Sequence, residues 1–369
     1  MGGSSGVDVV ANIKSRGTFF PRDRVTTIHV KYSCRTLTPR IPVIICRAPL
    51  RLPLGGGGTD LPSYYSKFGG SLVGAALDKY VYIAVNRRFE RDLRVSYSVT
   101  EIVPSPDHLR HRVVKEALNM LGVREGVEIV SIADVPSSTG LGSSGTFTVC
   151  LLQALHGYLH HHDSPQDIAE QACEIEINRL GDPVGKQDQY LSAFGGITCL
   201  DIDKDGAVHV SNLGLSSDTV AELERCTLLF YTGIKRQAPD VLAEQSAAFG
   251  KDHQESVERM HKIKEIGFQV RDALKSGDLH GFGELLHQHW ETKRGLSSKI
   301  SSDKIDYWYS VARKAGAIGG KIMGAGGGGF FMFYCDNNQS KLREAMRKEG
   351  LEETRCRIDF DGSKVIANF

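Results

Sequence analysis

The sequence lacks several features that would assign it to a specialised class of protein. Its eight cysteines include no close pair, which argues against a zinc site or a disulfide framework. No run of 18 apolar residues occurs, so no transmembrane helix is expected. The 45 basic and 44 acidic residues nearly cancel, and this balance favours neither a nucleic acid nor a membrane as partner. We therefore expect a globular, cytoplasmic protein whose 369 residues form about two domains.

The first 40 residues are the exception to this balance of charge. Seven basic residues stand against Asp8 and Asp23, which gives the segment a net charge of +5. The segment also lacks the continuous apolar stretch of a signal peptide. We expect residues 1–40 to be a poorly ordered leader outside the folded domains.

Glycine is abundant, with 40 residues, and part of it is concentrated in three clusters. In the segment "PSSTGLGSSG", Gly140, Gly142 and Gly145 have the G-x-G-x-x-G spacing of a dinucleotide-binding turn. A dinucleotide fold also needs a second buried strand within about 30 residues, but the stretch found there, "HHHDSPQD", is too polar. Glycine N–H groups, serine hydroxyls and the start of a helix still suit an anion. The segment therefore predicts a phosphate-binding loop.

The other two glycine clusters also adjoin predicted strands. Gly55–Gly58 follow a strand and precede Thr59 and Asp60, while the segment from Gly324 to Gly329 precedes another strand. Consecutive glycines lose much backbone entropy on folding and offer no side chain to pack. A ligand lying against bare backbone explains such clusters better than a structural turn does.

The segment "CEIEINRLGDPVGKQDQY" gathers charged side chains around one turn. It contains the carboxylates of Glu174, Glu176, Asp182 and Asp188 and the ammonium of Lys186. It is not a Walker A motif, because "GDPVGKQ" has one residue too few between its glycines and no Ser or Thr after the lysine. Taken alone, the segment is better explained as a solvated charged loop.

The order of predicted elements indicates an α+β fold without a repeat of fixed period. We place the boundary between two domains so that they span residues 41–212 and 213–369. The predicted strands lie at 43–48, 80–89, 93–99, 127–135, 197–202, 208–213, 226–233, 328–335, 355–360 and 364–368, and the predicted helices at 108–121, 144–159, 165–179, within 240–315, and at 339–349.

Taken together and in this order, the glycine-rich segments resemble the motifs of the GHMP kinases, the superfamily of galactokinase, homoserine kinase and mevalonate kinase. "PSSTGLGSSG" is similar to the family's loop P-x-x-x-G-L-G-S-S-A, with Gly145 in place of the usual alanine. "RLPLGGGGTD" is similar to the galactokinase segment R-V-N-L-I-G-E-H-T-D, which it matches at Arg51 and Asp60, while Gly57 and Gly58 replace Glu and His. "KIMGAGGGGF" resembles the third motif. The resemblance covers roughly residues 43–335.

The resemblance implies a ribosomal S5 domain 2-like N-terminal domain and a ferredoxin-like C-terminal domain, with ATP and a sugar in the cleft between them. It implies that Asp188 is the base or orienting acceptor for the sugar hydroxyl, and that Arg51 offsets charge on the transferring phosphoryl group. Mg²⁺ would be shared by Ser144 and Glu176, whose oxygens are the hard ligands that this ion prefers. The residues implied to bind ATP are Pro136, Ser138, Thr139, Gly140, Leu141, Gly142, Ser143, Ser144 and Gly145.

Within the superfamily, "GKQDQY", "FYTGIKR" and "HWETKRGLS" look most like segments of D-glycero-D-manno-heptose 7-phosphate kinases. This implies ATP- and Mg²⁺-dependent phosphorylation of the anomeric hydroxyl of a heptose 7-phosphate to the 1,7-bisphosphate, with cations such as Lys186, Lys235 or Arg236 on the terminal phosphate. The alternatives are another sugar 1-kinase, of the fucokinase or galactokinase kind, and a catalytically silent protein that binds ATP and sugar. The residues implied to bind the substrate are Gly56, Gly57, Gly58, Thr59, Asp60, Lys186, Arg236, Gly326 and Gly327.

Overall fold

Two β-sheets organise the part of the chain that the structure, a computed structural model, describes: residues 43–235, 254–297 and 299–369. The leader predicted for residues 1–40 and the candidate phosphate ligand Arg236 lie outside these ranges. Helices cover both sheets, so the predicted α+β fold class is confirmed. No helix in the described ranges is long and apolar enough to cross a membrane.

The first sheet has eight strands and is built around one long strand. This strand, β2 (Gly70–Arg87), pairs along one edge with β1 (Ile44–Gly55). On its other edge it pairs through residues 70–75 with β6 (Ile197–Ile202) and through residues 81–87 with β5 (Val127–Ala133). The order is β12-β1-β2-β5-β3-β4, with β6 beside β2 and β7 beside β6, and only the β3–β5 pair is parallel. The strands are β1 (Ile44–Gly55), β2 (Gly70–Arg87), β3 (Leu93–Ser96), β4 (Thr100–Val103), β5 (Val127–Ala133), β6 (Ile197–Ile202), β7 (Val208–Asn212) and β12 (Lys364–Asn368).

Five of the described helices come between β1 and β6 along the chain. The central one is α3, which packs on β1 and β2 and has ten of its sixteen residues buried. Such burial on several sides is typical of a core helix rather than a surface helix. A π-helical turn (Glu174–Arg179) follows α4 directly. The helices are α1 (Pro62–Phe68), α2 (Arg112–Met120), α3 (Ser143–Tyr158), α4 (Pro165–Cys173) and α5 (Gln187–Phe194).

The second sheet has four strands, all antiparallel, in the order β11-β8-β10-β9. Along the chain, helices separate β8 from the β9–β10 pair and β10 from β11, which is the β-α-β-β-α-β pattern of ferredoxin-like folds. The strands are β8 (Thr227–Tyr231), β9 (Gly319–Ile322), β10 (Phe330–Tyr334) and β11 (Glu352–Thr354). The helices, numbered over the described residues, are α6 (Ser217–Cys226), α7 (Gln254–Ser276), α8 (Leu279–Arg294), α9 (Asp303–Lys314) and α10 (Gln339–Lys348).

The strand predicted for residues 355–360 is wrong, because β11 ends at Thr354 and only Ile358 forms an isolated bridge, to Leu77. Two backbone hydrogen bonds join residues 357–359 to Ala76 and Asp78, and side chains add two more. The carboxylate of Asp78 accepts the N–H of Arg357 at 2.8 Å, and the carboxylate of Glu224 accepts that of Ile358 at 2.7 Å. The chain then returns to the first sheet, where β12 pairs with β1. The division into domains 41–212 and 213–369 stays a prediction.

Candidate active site

The segment predicted to bind phosphate forms a loop that leads directly into α3. Gly142, the residue before the helix, has φ of 82° and Gly140 has φ of 86°, a left-handed conformation that residues other than glycine rarely adopt. The N–H groups of the first turn of α3, which have no partner within the helix, therefore lie together at the end of this loop. The hydroxyl of Ser143 is buried there without a hydrogen-bond partner in the described part of the chain. A helix start with a spare buried donor is suited to bind phosphate.

The third glycine-rich segment, from Gly324 to Gly329, packs against this loop. A side chain at Gly140 would lie 2.5 Å from the carbonyl oxygen of Met323, and one at Gly329 would lie 2.1 Å from that of Thr139. Gly327 donates its N–H to the carbonyl of Ile300 at 2.8 Å, and Gly326 also lies against the backbone of Ile300. These glycines thus let backbone pack on backbone where the segment meets the loop.

Arg51 and Asp188 form an ion pair against the loop, although they are 137 residues apart in sequence. The Nε atom of Arg51 donates to Oδ1 of Asp188 at 2.6 Å, and its Nη1 atom donates to the carbonyl of Gly140 at 2.5 Å. The side chain of Arg51 is 5% exposed and that of Asp188 is 24% exposed. Asp188 therefore keeps access to the cleft while Arg51 holds it in place.

Glu176 lies beside this pair and contacts the first turns of α3. Its Oε1 atom accepts hydrogen bonds from the hydroxyls of Ser144, at 2.7 Å, and Thr148, at 2.9 Å, and its Oε2 atom accepts one from Gln189. Burial, assisted by the nearby charge of Asp188, raises the pKa of Glu176 to about 7, although the three hydrogen bonds oppose the shift. A cation at this place would be the missing partner of a buried carboxylate.

The oxygens of Ser144 and Glu176 are of the type that Mg²⁺ binds. The spare hydroxyl of Ser143 lies in the same turn, so the residues present fit the ion. The described residues contain no cluster of three or more His, Cys, Asp or Glu side chains that could hold a metal alone. This agrees with the habit of Mg²⁺ of taking one or two protein ligands together with substrate phosphates and water.

Asp60 is fully buried beneath the first glycine cluster. The N–H groups of Gly58, at 3.0 Å, and Gln187, at 3.1 Å, donate to its carboxylate. Burial raises its pKa, and the charge of Asp188 acts in the same direction. Gly185 makes the position possible, since a side chain there would lie 1.9 Å from Oδ2 of Asp60. Asp60 and Asp188 thus both lie at the start of α5.

The structure gives the other predicted substrate residues different surroundings. The hydroxyl of Thr59 is buried and bonds to the carbonyls of Gly56 and Ser71, which fixes the shape of the glycine cluster. A side chain at Gly57 would make ordinary van der Waals contacts with the side chains of Gln187 and Pro53, at 3.8 and 3.9 Å.

The two described cations proposed for a terminal phosphate also differ in setting. Lys186 donates to the carbonyl of Gly206 and lies 5.4 Å from the ring centre of Tyr65. Lys235 is exposed.

Sequence reasoning missed several polar residues of the site, above all Lys293 in α8 and Lys321 in β9. A signal for Lys293 was present. Leu286, His289 and Trp290 are buried, and Lys293 continues their helical spacing of three and four residues. A lysine on the buried stripe of a helix is unusual enough to mark a site.

The fold and these contacts define a kinase, an enzyme that transfers a phosphoryl group to an alcohol. The sequence pattern of the GHMP kinases N terminal domain matches residues 109–196, and that of the GHMP kinases C terminal matches residues 270–351. The chain belongs to the GHMP kinases and is a sugar kinase of that family. Members of the family use ATP with Mg²⁺.

Individual relatives cover most of the chain. A D-glycero-alpha-D-manno-heptose 7-phosphate kinase of Campylobacter jejuni is 31% identical over 82% of this chain and 93% of its own length. A galactokinase of Pyrococcus furiosus is 26% identical over 84% of this chain and 94% of its own. The crystal structure of a D-glycero-D-manno-heptose 1-phosphate kinase from Bacteroides thetaiotaomicron superposes with a TM-score of 0.75, at 26% identity, and covers 88% of this chain and 99% of that one.

Proposed function

We propose that this enzyme transfers the terminal phosphoryl group of ATP to the anomeric hydroxyl of a heptose 7-phosphate and so forms the 1,7-bisphosphate. The observation that carries the proposal is the Arg51–Asp188 pair, held against the phosphate loop with Glu176 beside it, in a chain 31% identical to a heptose 7-phosphate kinase. A catalytically silent protein has no need of this complete set.

The contacts support a role for each group. The loop from Pro136 to Gly145 binds the triphosphate with its N–H groups. Ser144 and Glu176 would hold Mg²⁺, which would neutralise phosphate charge when bound. Asp188 accepts the proton of the anomeric hydroxyl as that oxygen bonds to the terminal phosphorus. The bond from this phosphorus to the bridging oxygen breaks, and ADP leaves with the electron pair. Arg51 offsets charge on the phosphoryl group in transit.

The sugar would lie beside Asp60 and the first glycine cluster. The missing side chain at Gly57 would leave room for a sugar larger than a hexose, whereas one at Gly58 would meet Met260 at 3.3 Å. Asp60 would accept hydrogen bonds from the sugar's hydroxyls. Lys186 immediately precedes Gln187, which donates its N–H to Asp60, and we therefore take it as the first candidate for the terminal phosphate. Lys235 and Arg236, next to each other in the sequence, are the further candidates.

A panel of acceptors with ADP release as the measurement tests this proposal. The acceptors are heptose 7-phosphate, heptose 1-phosphate, free heptose, fucose and galactose. We expect heptose 7-phosphate to exceed the sugars without a phosphate by up to about 10⁴–10⁵ in kcat/KM, because cations built for a phosphate are left unpaired without it. Equal or better activity on a free sugar would refute the heptose 7-phosphate assignment and favour another sugar 1-kinase. No activity on any acceptor, with ATP still bound, would favour the silent protein.

Charge-removing variants locate the phosphate site. Lys186→Met and Arg236→Ala should each reduce the preference for the phosphorylated sugar and leave activity on free heptose nearly unchanged. Lys348→Met is the matched control, since this lysine is exposed on α10 and pairs with Glu344. A preference that persists in both variants would move the phosphate site to Lys235.

A further inference from the structure

Two lysines and a histidine lie near Arg51. In the described ranges none of the three has a hydrogen bond to a carboxylate. Lys321, in β9, is 2% exposed, and its Nζ atom donates to the carbonyl of Leu54 at 3.1 Å. Lys293, in the last turn of α8, donates to the carbonyl of Gly324 at 2.5 Å. His289 is 1% exposed, and both ring nitrogens lack a hydrogen-bond partner among the described residues.

The backbone places Lys293 at the edge of the phosphate loop. Gly324, which accepts its hydrogen bond, packs against Gly140, with only 2.9 Å between the Cα atom of Gly140 and a side chain built at Gly324. Gly140 in turn accepts a hydrogen bond from Arg51. Lys293 therefore adds a second cation to the junction where Arg51 meets the loop. Unlike Lys321, it is only partly buried and keeps contact with solvent.

The surroundings of Lys293 contain more positive than negative charge. The groups that face it are Arg51 from β1, Asp60 from the loop after β1, Lys321 from β9 and His289 from its own helix. Burial and the charge of Arg51 lower the pKa of Lys293 to about 8, with Asp60 opposing the shift. Burial also holds the pKa values of Lys321 and His289 well below their usual ranges. An ammonium ion in such a place is stabilised when an anion joins it.

We propose that Lys293 binds the terminal phosphoryl group of ATP and is a further catalytic residue beside Arg51. Its ammonium has three N–H donors, of which the described structure uses one. Phosphate oxygens would take the others, and the contact would strengthen as charge builds on the phosphoryl group in transit. This inference rests on the proposed kinase function but does not depend on which sugar is the acceptor.

The pKa gives the inference a signature of its own. In the free enzyme Lys293 is protonated below about pH 8 and loses its charge as the pH rises through that value. A bound phosphate raises this pKa again. Binding of the terminal phosphate at pH 8 should therefore take up protons, and kcat/KM for ATP should fall as the pH rises through about 8.

Calorimetry with two nucleotides tests the inference without any acceptor. The probes are the Mg²⁺ complexes of ADP and of a non-hydrolysable ATP analogue that carries the third phosphate. The measurement is made on the wild type at pH 8, in buffers of different ionisation enthalpy. Binding of the analogue should be accompanied by the uptake of more protons than binding of ADP. Equal uptake by both nucleotides would overturn the proposal, and this comparison needs no variant that might fail to fold.

Variants then separate catalysis from a structural role of the Gly324 contact. Lys293→Met should weaken binding of the analogue at least tenfold and binding of ADP less than twofold. It should also lower kcat/KM by about 10². Lys293→Arg should restore most of the affinity and remove the fall near pH 8, since arginine stays charged. Arg294→Met, an adjacent exposed residue paired with Glu291, is the matched control and should behave as the wild type.

Two outcomes would overturn the role of Lys293. If Lys293→Met weakens binding of both nucleotides equally, the residue only holds Gly324. If binding and the pH profile of kcat/KM are both unchanged, the residue has no role in either. Since the binding measurements need no sugar, they stand even if heptose 7-phosphate fails as acceptor.

Discussion

Alanine at position 145 should displace Asp188 and slow the enzyme without unfolding it. Gly145 stands in the first turn of α3, where the family's loop usually has alanine, and a Cβ atom there would lie 2.6 Å from Cβ of Asp188. Carbon atoms normally approach to about 3.5–4.0 Å, so Asp188 would have to move by about 1 Å. A shift of this size in a reacting group can cost about 10² in rate. We therefore expect kcat of Gly145→Ala to fall about 10²-fold, measured by ADP release at saturating ATP and acceptor.

The stability of this variant should change little, because two effects oppose each other. Alanine in place of glycine favours a helix by up to about 1 kcal/mol, while overpacking costs about 1–3 kcal/mol. Gly157→Ala, in the same helix, is the control. Its nearest neighbour would be a methyl group of Ile44 at 3.3 Å, far from Asp188, so Tm should rise or stay unchanged and kcat should equal that of the wild type. Wild-type kcat in Gly145→Ala would refute the claim that Asp188 is positioned by this missing side chain.

Three further outcomes follow from the same geometry. Asp188→Asn should lower kcat by about 10²–10⁴ with nucleotide affinity largely kept, and wild-type turnover would contradict its role as proton acceptor. Mg·ATP should raise Tm in a thermal melt while NAD(H) leaves it unchanged, since only a ligand of the folded state stabilises it; the opposite result would restore the dinucleotide interpretation. Glu176→Gln should raise the Mg²⁺ concentration needed for half-maximal activity, measured by titrating the metal, and an unchanged requirement would place the ion elsewhere.

The parts of the site that belong to glycine-rich segments could be predicted from the sequence. Gly140 and Gly142 have positive φ, which glycine adopts readily, so their presence in the sequence predicts the turn that precedes α3. The fold class was equally accessible, since strands such as β5 and helices such as α3 have clear patterns, although the first half of β2 was not predicted. The short helix α5 was not predicted, although it begins one residue before Asp188. A helix of eight residues offers too few turns for a periodicity to be recognised.

The contacts between these segments could not be predicted from local pattern. Arg51 and Asp188 are separated by 137 residues, and their pairing depends on β1 and α5 both packing near the start of α3. The same holds for the third glycine segment, whose closeness to Thr139 and Gly140 follows from the position of β10 in the second sheet. Local sequence records what each segment needs from its own backbone, and says nothing about which distant backbone will lie against it.

Lys293 shows where sequence reasoning can be extended. Leu286, His289, Trp290 and Lys293 recur at helical spacing on one face of α8, and an apolar face that ends in a histidine and a lysine violates the rule that unpaired charge stays in solvent. Burying an ammonium ion costs free energy, and a bound anion offsets that cost. In a chain whose glycine loops already predict a phosphate, that violation indicates a ligand of the phosphate rather than a defect in the core. The exposed Arg294, which follows it and pairs with Glu291, has the ordinary setting of a surface cation and carries no such inference.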